Sequence, residues 1–154
     1  MSAPHPFVPY PFEPERHASR VPPLERGDER QRHAVVVIGA GPVGFCTAIG
    51  LAQQGIAVVL LEADESVCFG SRAITISRRS LQILQRLGVL PSFLQHGLVW
   101  SGGRAYYRGE QILHFTMPQE EDQKLPAMIN LAQYRIEQNL LERAQALAPL
   151  IDIR

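Results

Sequence analysis

The stretch AVVVIGAGPVGFCTAIGLAQQGIAVVLLE, residues 34–62, decides how the chain folds. Val35, Val36, Val37 and Ile38 form a short β-branched run with no polar interruption, which predicts a parallel strand covered on both faces. Gly39, Gly41 and Gly44 follow at once in the order G-x-G-x-x-G. Residues 43–54 then carry small and apolar side chains at helical spacing, with Gly55 as the helix stop. A second apolar run over residues 57–61 closes on Glu62, completing strand, glycine turn, helix and strand within about 30 residues, the span of a βαβ unit.

Each part of the turn Gly39-Ala40-Gly41-Pro42-Val43-Gly44 has a mechanical reading. The first glycine permits the tight turn, the second lets backbone approach a pyrophosphate, and the third lets the helix pack close to the strand. The helix start offers unpaired N–H groups and the positive end of its dipole, and Pro42 sits where a missing N–H costs nothing. Glycine turns alone are weak evidence. This one follows a strand, opens a helix, and has Glu62 about 20 residues beyond its first glycine, where a carboxylate accepts hydrogen bonds from an adenosine ribose. A glutamate there also disfavours a 2′-phosphate, since two anions repel. The turn by itself serves NAD and FAD equally.

Outward from this unit, residues 1–33 read as a flexible leader, with Pro4, Pro6, Pro9, Pro11, Pro14, Pro22 and Pro23 followed by a charged stretch. Beyond a loop over residues 63–73, Leu81, Leu84 and Leu87 mark an amphipathic helix over residues 77–87, stopped by Gly88 with Pro91 beyond. Residues 105–107 and 112–115 flank a turn near Gly109 and predict a small antiparallel hairpin. Leu131, Ile136, Leu140, Leu141 and Leu147 predict a further helix over residues 130–147, and residues 151–154 begin a strand. The fold class expected is therefore α/β: a Rossmann-like βαβ unit with a small antiparallel hairpin. A strand starting at the last residues suggests a truncated domain, so residues 34–154 are expected to be the incomplete first part of a nucleotide-binding domain.

Composition narrows the partners. Fifteen basic residues balance fifteen acidic ones, which leaves no excess positive charge for nucleic acid or an anionic membrane. No apolar run approaches the roughly 18–20 residues that span a bilayer, and the proline-rich start lacks the apolar core of a secretion signal. Cys46 and Cys68 have neither C-x-x-C nor metal-ligand spacing, so a cytoplasmic setting and no metal site are expected. Trp100, Tyr106 and Tyr107 read as packing residues rather than a stacking surface.

Three segments together resemble the class A flavoprotein monooxygenases, the aromatic-ring hydroxylases related to p-hydroxybenzoate hydroxylase, most nearly the 3-(3-hydroxyphenyl)propionate hydroxylase branch. They are the turn Gly39–Gly44 with Glu62, the run Gly70-Ser71-Arg72-Ala73 with its following helix, and Gln133-Tyr134-Arg135-Ile136-Glu137-Gln138-Asn139-Leu140. The resemblance implies an FAD cofactor, with Ser71, Arg72 and Gln133 beside it. Read on their own, Arg72 has an alternative as a salt-bridging surface residue and Gln133 as a helix-capping side chain. Tyr134 departs from the family pattern, where many relatives have proline. The resemblance further implies that NAD(P)H reduces the flavin and that dioxygen is then used to hydroxylate an aromatic substrate, the protein supplying binding and orientation. The family's later cofactor and substrate segments have no counterpart before Arg154, so no catalytic residue is assigned. Two other readings stay open: an NAD-dependent oxidoreductase domain, and a non-catalytic FAD-binding remnant.

Overall fold

The computed structural model describes residues 10–19, 27, 32–70, 75–118 and 121–154. In chain order its elements are β1 (Val35–Ile38), α1 (Pro42–Ala52), β2 (Val58–Leu61), β3 (Thr75–Ser77), α2 (Arg78–Leu87), α3 (Leu90–His96), β4 (Leu98–Trp100), β5 (Gly102–Tyr107), β6 (Glu110–Thr116), β7 (Met128–Asn130), α4 (Gln133–Gln145) and β8 (Ile151–Ile153). They divide into two compact units, one from residues 1–72 and 133–154, the other from residues 73–132.

The first unit holds the parallel sheet, in the order β1-β2-β8. Val35 pairs in register with Val58, and Val58 with Ile151, so these three side chains share one face. Helices α1 and α4 pack against each other. Ala48, Ile49, Leu140 and Ala144 are buried without residue, as is Leu60 at the centre of the sheet. All three of Val58, Val59 and Leu60 in β2 are buried, as a two-faced strand requires. β1 departs from that expectation. Its side chains alternate, with Val36 and Ile38 exposed, Ile38 to 85%. Only one face of β1 is packed, and an unbroken apolar run cannot reveal that from sequence.

Helix α1 opens at Pro42, one residue before the sequence-based start, and Gly55 closes the turn after it with a positive φ of 78°. The leader has no helix or strand over residues 10–19, as its prolines dictate, but aromatic residues among them dock on the domain. The Tyr10 hydroxyl donates to the Val67 carbonyl at 3.2 Å, and the Tyr10 ring meets that of Tyr134 edge-on, with centroids 5.7 Å apart. The Arg135 guanidinium lies 4.3 Å from the centre of the Phe12 ring, and Arg16 pairs with Glu65. Tyr134, which stands where the family pattern has proline, thus lies in the first turn of α4 with its ring against the leader.

The second unit contains a three-stranded antiparallel sheet in the order β3-β7-β4 and the separate β5-β6 hairpin. The hairpin matches its sequence reading, with Arg108 and Gly109 at the turn. Helix α2 is capped by the Ser77 hydroxyl, which accepts from the Ser80 N–H, and stops at Gly88. Pro91, beyond that stop, falls in the first turn of a further helix, α3, where proline is tolerated. The stretch beginning at residue 130, expected as helix, starts as the end of β7, and α4 begins only at Gln133. β3, β4 and β7, three residues each, carry too short a pattern to be separated from the loops and helices beside them.

Leu140, fully buried in α4, sets the scale of the core. Leu140→Ala is expected to lower the stability of the fold by about 2–5 kcal/mol in urea unfolding. Val43→Ala, at a position 80% exposed, is expected to change it by less than about 0.5 kcal/mol.

Candidate functional site

In open α/β sheets ligands gather outside the carboxyl ends of the strands, which here means Ile38 and Leu61 with the segments that leave them. At the end of β1 the backbone turns through Gly39, whose φ of +96° is one that side-chain-bearing residues rarely adopt. The Gly39 N–H donates to the Leu61 carbonyl at 2.7 Å, holding the turn against the end of β2. A Cβ added at Gly44 would stand 1.8 Å from the Gly39 carbonyl oxygen, so only glycine lets α1 start this close to the turn. The sequence reading anticipated the close approach; the structure shows that the neighbour is the Gly39 backbone, with the Val37 side chain 3.5 Å away.

The start of α1 leaves its donors without partners. Gly41 is its N-cap, no side chain caps it, and Pro42 occupies the first turn. The backbone N–H groups of the first turn therefore have neither an intrahelical partner nor a side-chain acceptor. A Cβ at Gly41 would meet no atom of the protein within 4 Å. Within the turn Ala40 is buried and Val43 exposed. Such a start, with the helix dipole behind it, fits a pyrophosphate.

Glu62 stands at the end of β2 and binds the turn directly. Its Oε2 accepts from the Ala40 N–H at 2.6 Å, and its Oε1 from the N–H groups of Ala63 and Asp64 at 2.7 and 3.1 Å. Partial burial alone would raise the carboxyl's pKa, but the N–H groups of Asp64, Ala40 and Ala63 outweigh it and hold it below the usual glutamate range. A carboxylate has about four acceptor sites, so three backbone bonds leave room for one ribose hydroxyl. The sequence placed Glu62 beside a ribose but gave no sign that it also braces the glycine turn.

Gln133 opens α4, and its Nε2 donates to Glu137 Oε1 at 2.9 Å. The other oxygen, Glu137 Oε2, accepts from the Cys68 N–H at 2.7 Å. Glu137 thus joins the Gln133 amide, on its own helix, to the loop after Glu62. Sequence reasoning missed Glu137, although its spacing of four from Gln133 puts both on one helix face. Ser71 and Arg72 lie outside the described residues. Among the described residues no group of three or more His, Cys, Asp or Glu side chains could hold a metal ion, and no helix is long and apolar enough to cross a membrane.

Residues 32–154 match the model of the FAD binding domain family. The chain is 34% identical over 125 residues to 6-hydroxy-3-succinoylpyridine 3-monooxygenase HspB of Pseudomonas putida, covering 80% of this chain and 32% of that protein. It is 39% identical over 70 residues to 3-(3-hydroxy-phenyl)propionate/3-hydroxycinnamic acid hydroxylase of Klebsiella pneumoniae, covering 46% of this chain and 13% of that one. The crystal structure of p-nitrophenol 4-monooxygenase PnpA from Pseudomonas putida superposes with a TM-score of 0.71 at 29% identity, covering 79% of this chain and 31% of that chain. The chain therefore spans about a third of the length of HspB and PnpA.

Two substitutions separate the roles of the glycines. Gly44→Ala is expected to lower the melting temperature of the ligand-free protein, because the added carbon must displace the Gly39 carbonyl. Gly41→Val is expected to leave that temperature within a few degrees of wild type while abolishing retention of FAD through purification. Acid titration tests Glu62. Its folded pKa is depressed, so its contribution is complete above the ordinary glutamate pKa and lost as pH falls through the folded value. The stability difference between wild type and Glu62→Gln should therefore shrink as pH is lowered below about 4.3.

Proposed function

We propose, from the premise that this chain belongs to the FAD binding domain family, that it is the part of a flavin-dependent aromatic-ring monooxygenase that grips the ADP half of FAD. The observation that carries the reading is the uncapped start of α1, set against the Gly39 carbonyl and braced by Glu62. In this reading the backbone of Gly39, Ala40, Gly41, Pro42, Val43 and Gly44 passes along the pyrophosphate, with Val43 and Gly44 able to donate N–H groups and Pro42 none. Glu62 accepts from the adenosine ribose with its remaining lone pair. Ser71, Arg72 and Gln133 lie along the flavin side of the cofactor. When bound, FAD would carry electrons from NAD(P)H to dioxygen for hydroxylation of an aromatic small molecule. The residues of this chain contribute placement, and none of them is assigned to acid–base catalysis. The names of HspB, PnpA and the phenylpropionate hydroxylase, all acting on aromatic rings, support that substrate class. A cytoplasmic setting belongs to the same proposal, and neither Cys46 nor Cys68 forms a disulfide.

Glu62→Ala is expected to weaken FAD binding by roughly 1–3 kcal/mol in the complete product of the gene, the range for losing a charge-assisted hydrogen bond. FMN, which lacks the adenosine, is the control. A loss confined to FAD supports the ribose contact, and an equal loss for both cofactors assigns Glu62 to bracing alone. The 154-residue chain by itself, a third as long as HspB, is expected to hold FAD weakly and to show no NAD(P)H-dependent hydroxylation of phenolic acids. An absorbance scan and an NADH-oxidation assay read both outcomes.

A further inference from the structure

Glu137 is 5% exposed, within a helix whose other buried residues include Ile136, Leu140, Leu141 and Ala144. Burying a carboxylate is costly unless hydrogen bonds offset the lost hydration, and an apolar residue of similar size would pack there with less penalty. Both of its oxygens are used, and they reach two segments far apart in sequence. Oε2 takes the backbone N–H of Cys68, in the loop that leaves Glu62. Oε1 takes the side-chain amide of Gln133, one helical turn earlier on α4. A carboxylate that accepts from an amide also fixes which way that amide points. Nε2 must face Glu137, so the carbonyl oxygen of Gln133 is held on the other side.

We propose that Glu137 is a positioning residue for the cofactor site, setting the orientation of the Gln133 amide and the approach of the loop at Cys68. The inference rests on the reading of Gln133 as a flavin contact given above. A glutamine free to rotate would spend part of its time with its amide reversed, and binding would then carry the cost of ordering it. With Glu137 in place that ordering is complete before the cofactor arrives.

The test is a double-mutant cycle on FAD affinity in the complete product of the gene, with Gln133→Ala, Glu137→Gln and the pair, at a temperature well below the melting point of every variant. Glu137→Gln keeps the size of the side chain but cannot accept from both donors at once. Each single change is expected to weaken FAD binding roughly tenfold, and the double no more than about thirtyfold, because Glu137 acts largely through Gln133. A hundredfold loss in the double, the product of the singles, would show that Glu137 only stabilises the fold and would overturn the inference. If Gln133→Ala alone leaves affinity unchanged, the flavin-contact reading fails and the positioning role with it. Should Glu137→Gln not fold, Glu137→Asp keeps the carboxylate but withdraws it by one methylene. It is held to the same coupling with Gln133→Ala, with independent effects again contradicting the proposal.

Discussion

The Gly39 carbonyl oxygen fills the space that a Cβ at position 44 would need, and the remainder of the site depends on that approach. Because α1 begins so close to the end of β1, its unpaired N–H groups lie at the carboxyl edge of the parallel sheet instead of being carried away on a longer loop. The turn that makes this possible is held from the neighbouring strand twice. The Gly39 N–H bonds to Leu61, and the Ala40 N–H to the Glu62 carboxylate. Strand pairing, turn and helix start are consequently one mechanical unit, and the N–H groups of the helix start have directions fixed by the fold itself.

Carboxylates organise the segments around this unit. Glu62 joins the glycine turn to the first residues of the following loop, and Glu137 joins a later part of that loop to α4. In both cases the acceptor takes backbone N–H groups of irregular segments, which have no ladder to satisfy them. The leader adds a tie of another kind, with aromatic rings and the Arg16–Glu65 pair resting on the same loop and on the first turn of α4. Loop, helix start and leader are thus held in place by contacts that no single element could supply.

The fold class was legible because a β-branched run, a spaced set of glycines and an acid at the next strand end each leave a local signature. The hairpin was legible from Gly109, and the end of α2 from Gly88, where one residue type fixes a backbone state. What escaped was non-local. The three-residue strands β3, β4 and β7 exist only through pairing, and the open face of β1 depends on what packs over it. Helix α3 escaped because the sequence does not distinguish a proline lying beyond one helix from one opening the next. Glu62 was singled out by its interval from Gly39, whereas the bond between Glu137 and Cys68 joins residues far apart in sequence and leaves no local signature. Docking of Tyr10 and Phe12 was likewise hidden, since prolines around them predict no regular structure and say nothing of contacts.

The central claim is that the start of α1 and the end of β2 receive the ADP half of FAD. Amide-resolved NMR of the isotopically labelled protein, titrated separately with ADP and with FMN, tests it most directly. The account predicts that ADP shifts the backbone amides of Ala40, Gly41, Val43, Gly44 and Ala63 in a saturable way, and that FMN does not produce the same pattern. Saturable binding of ADP that left these amides unmoved would contradict the account, however tightly the nucleotide bound elsewhere.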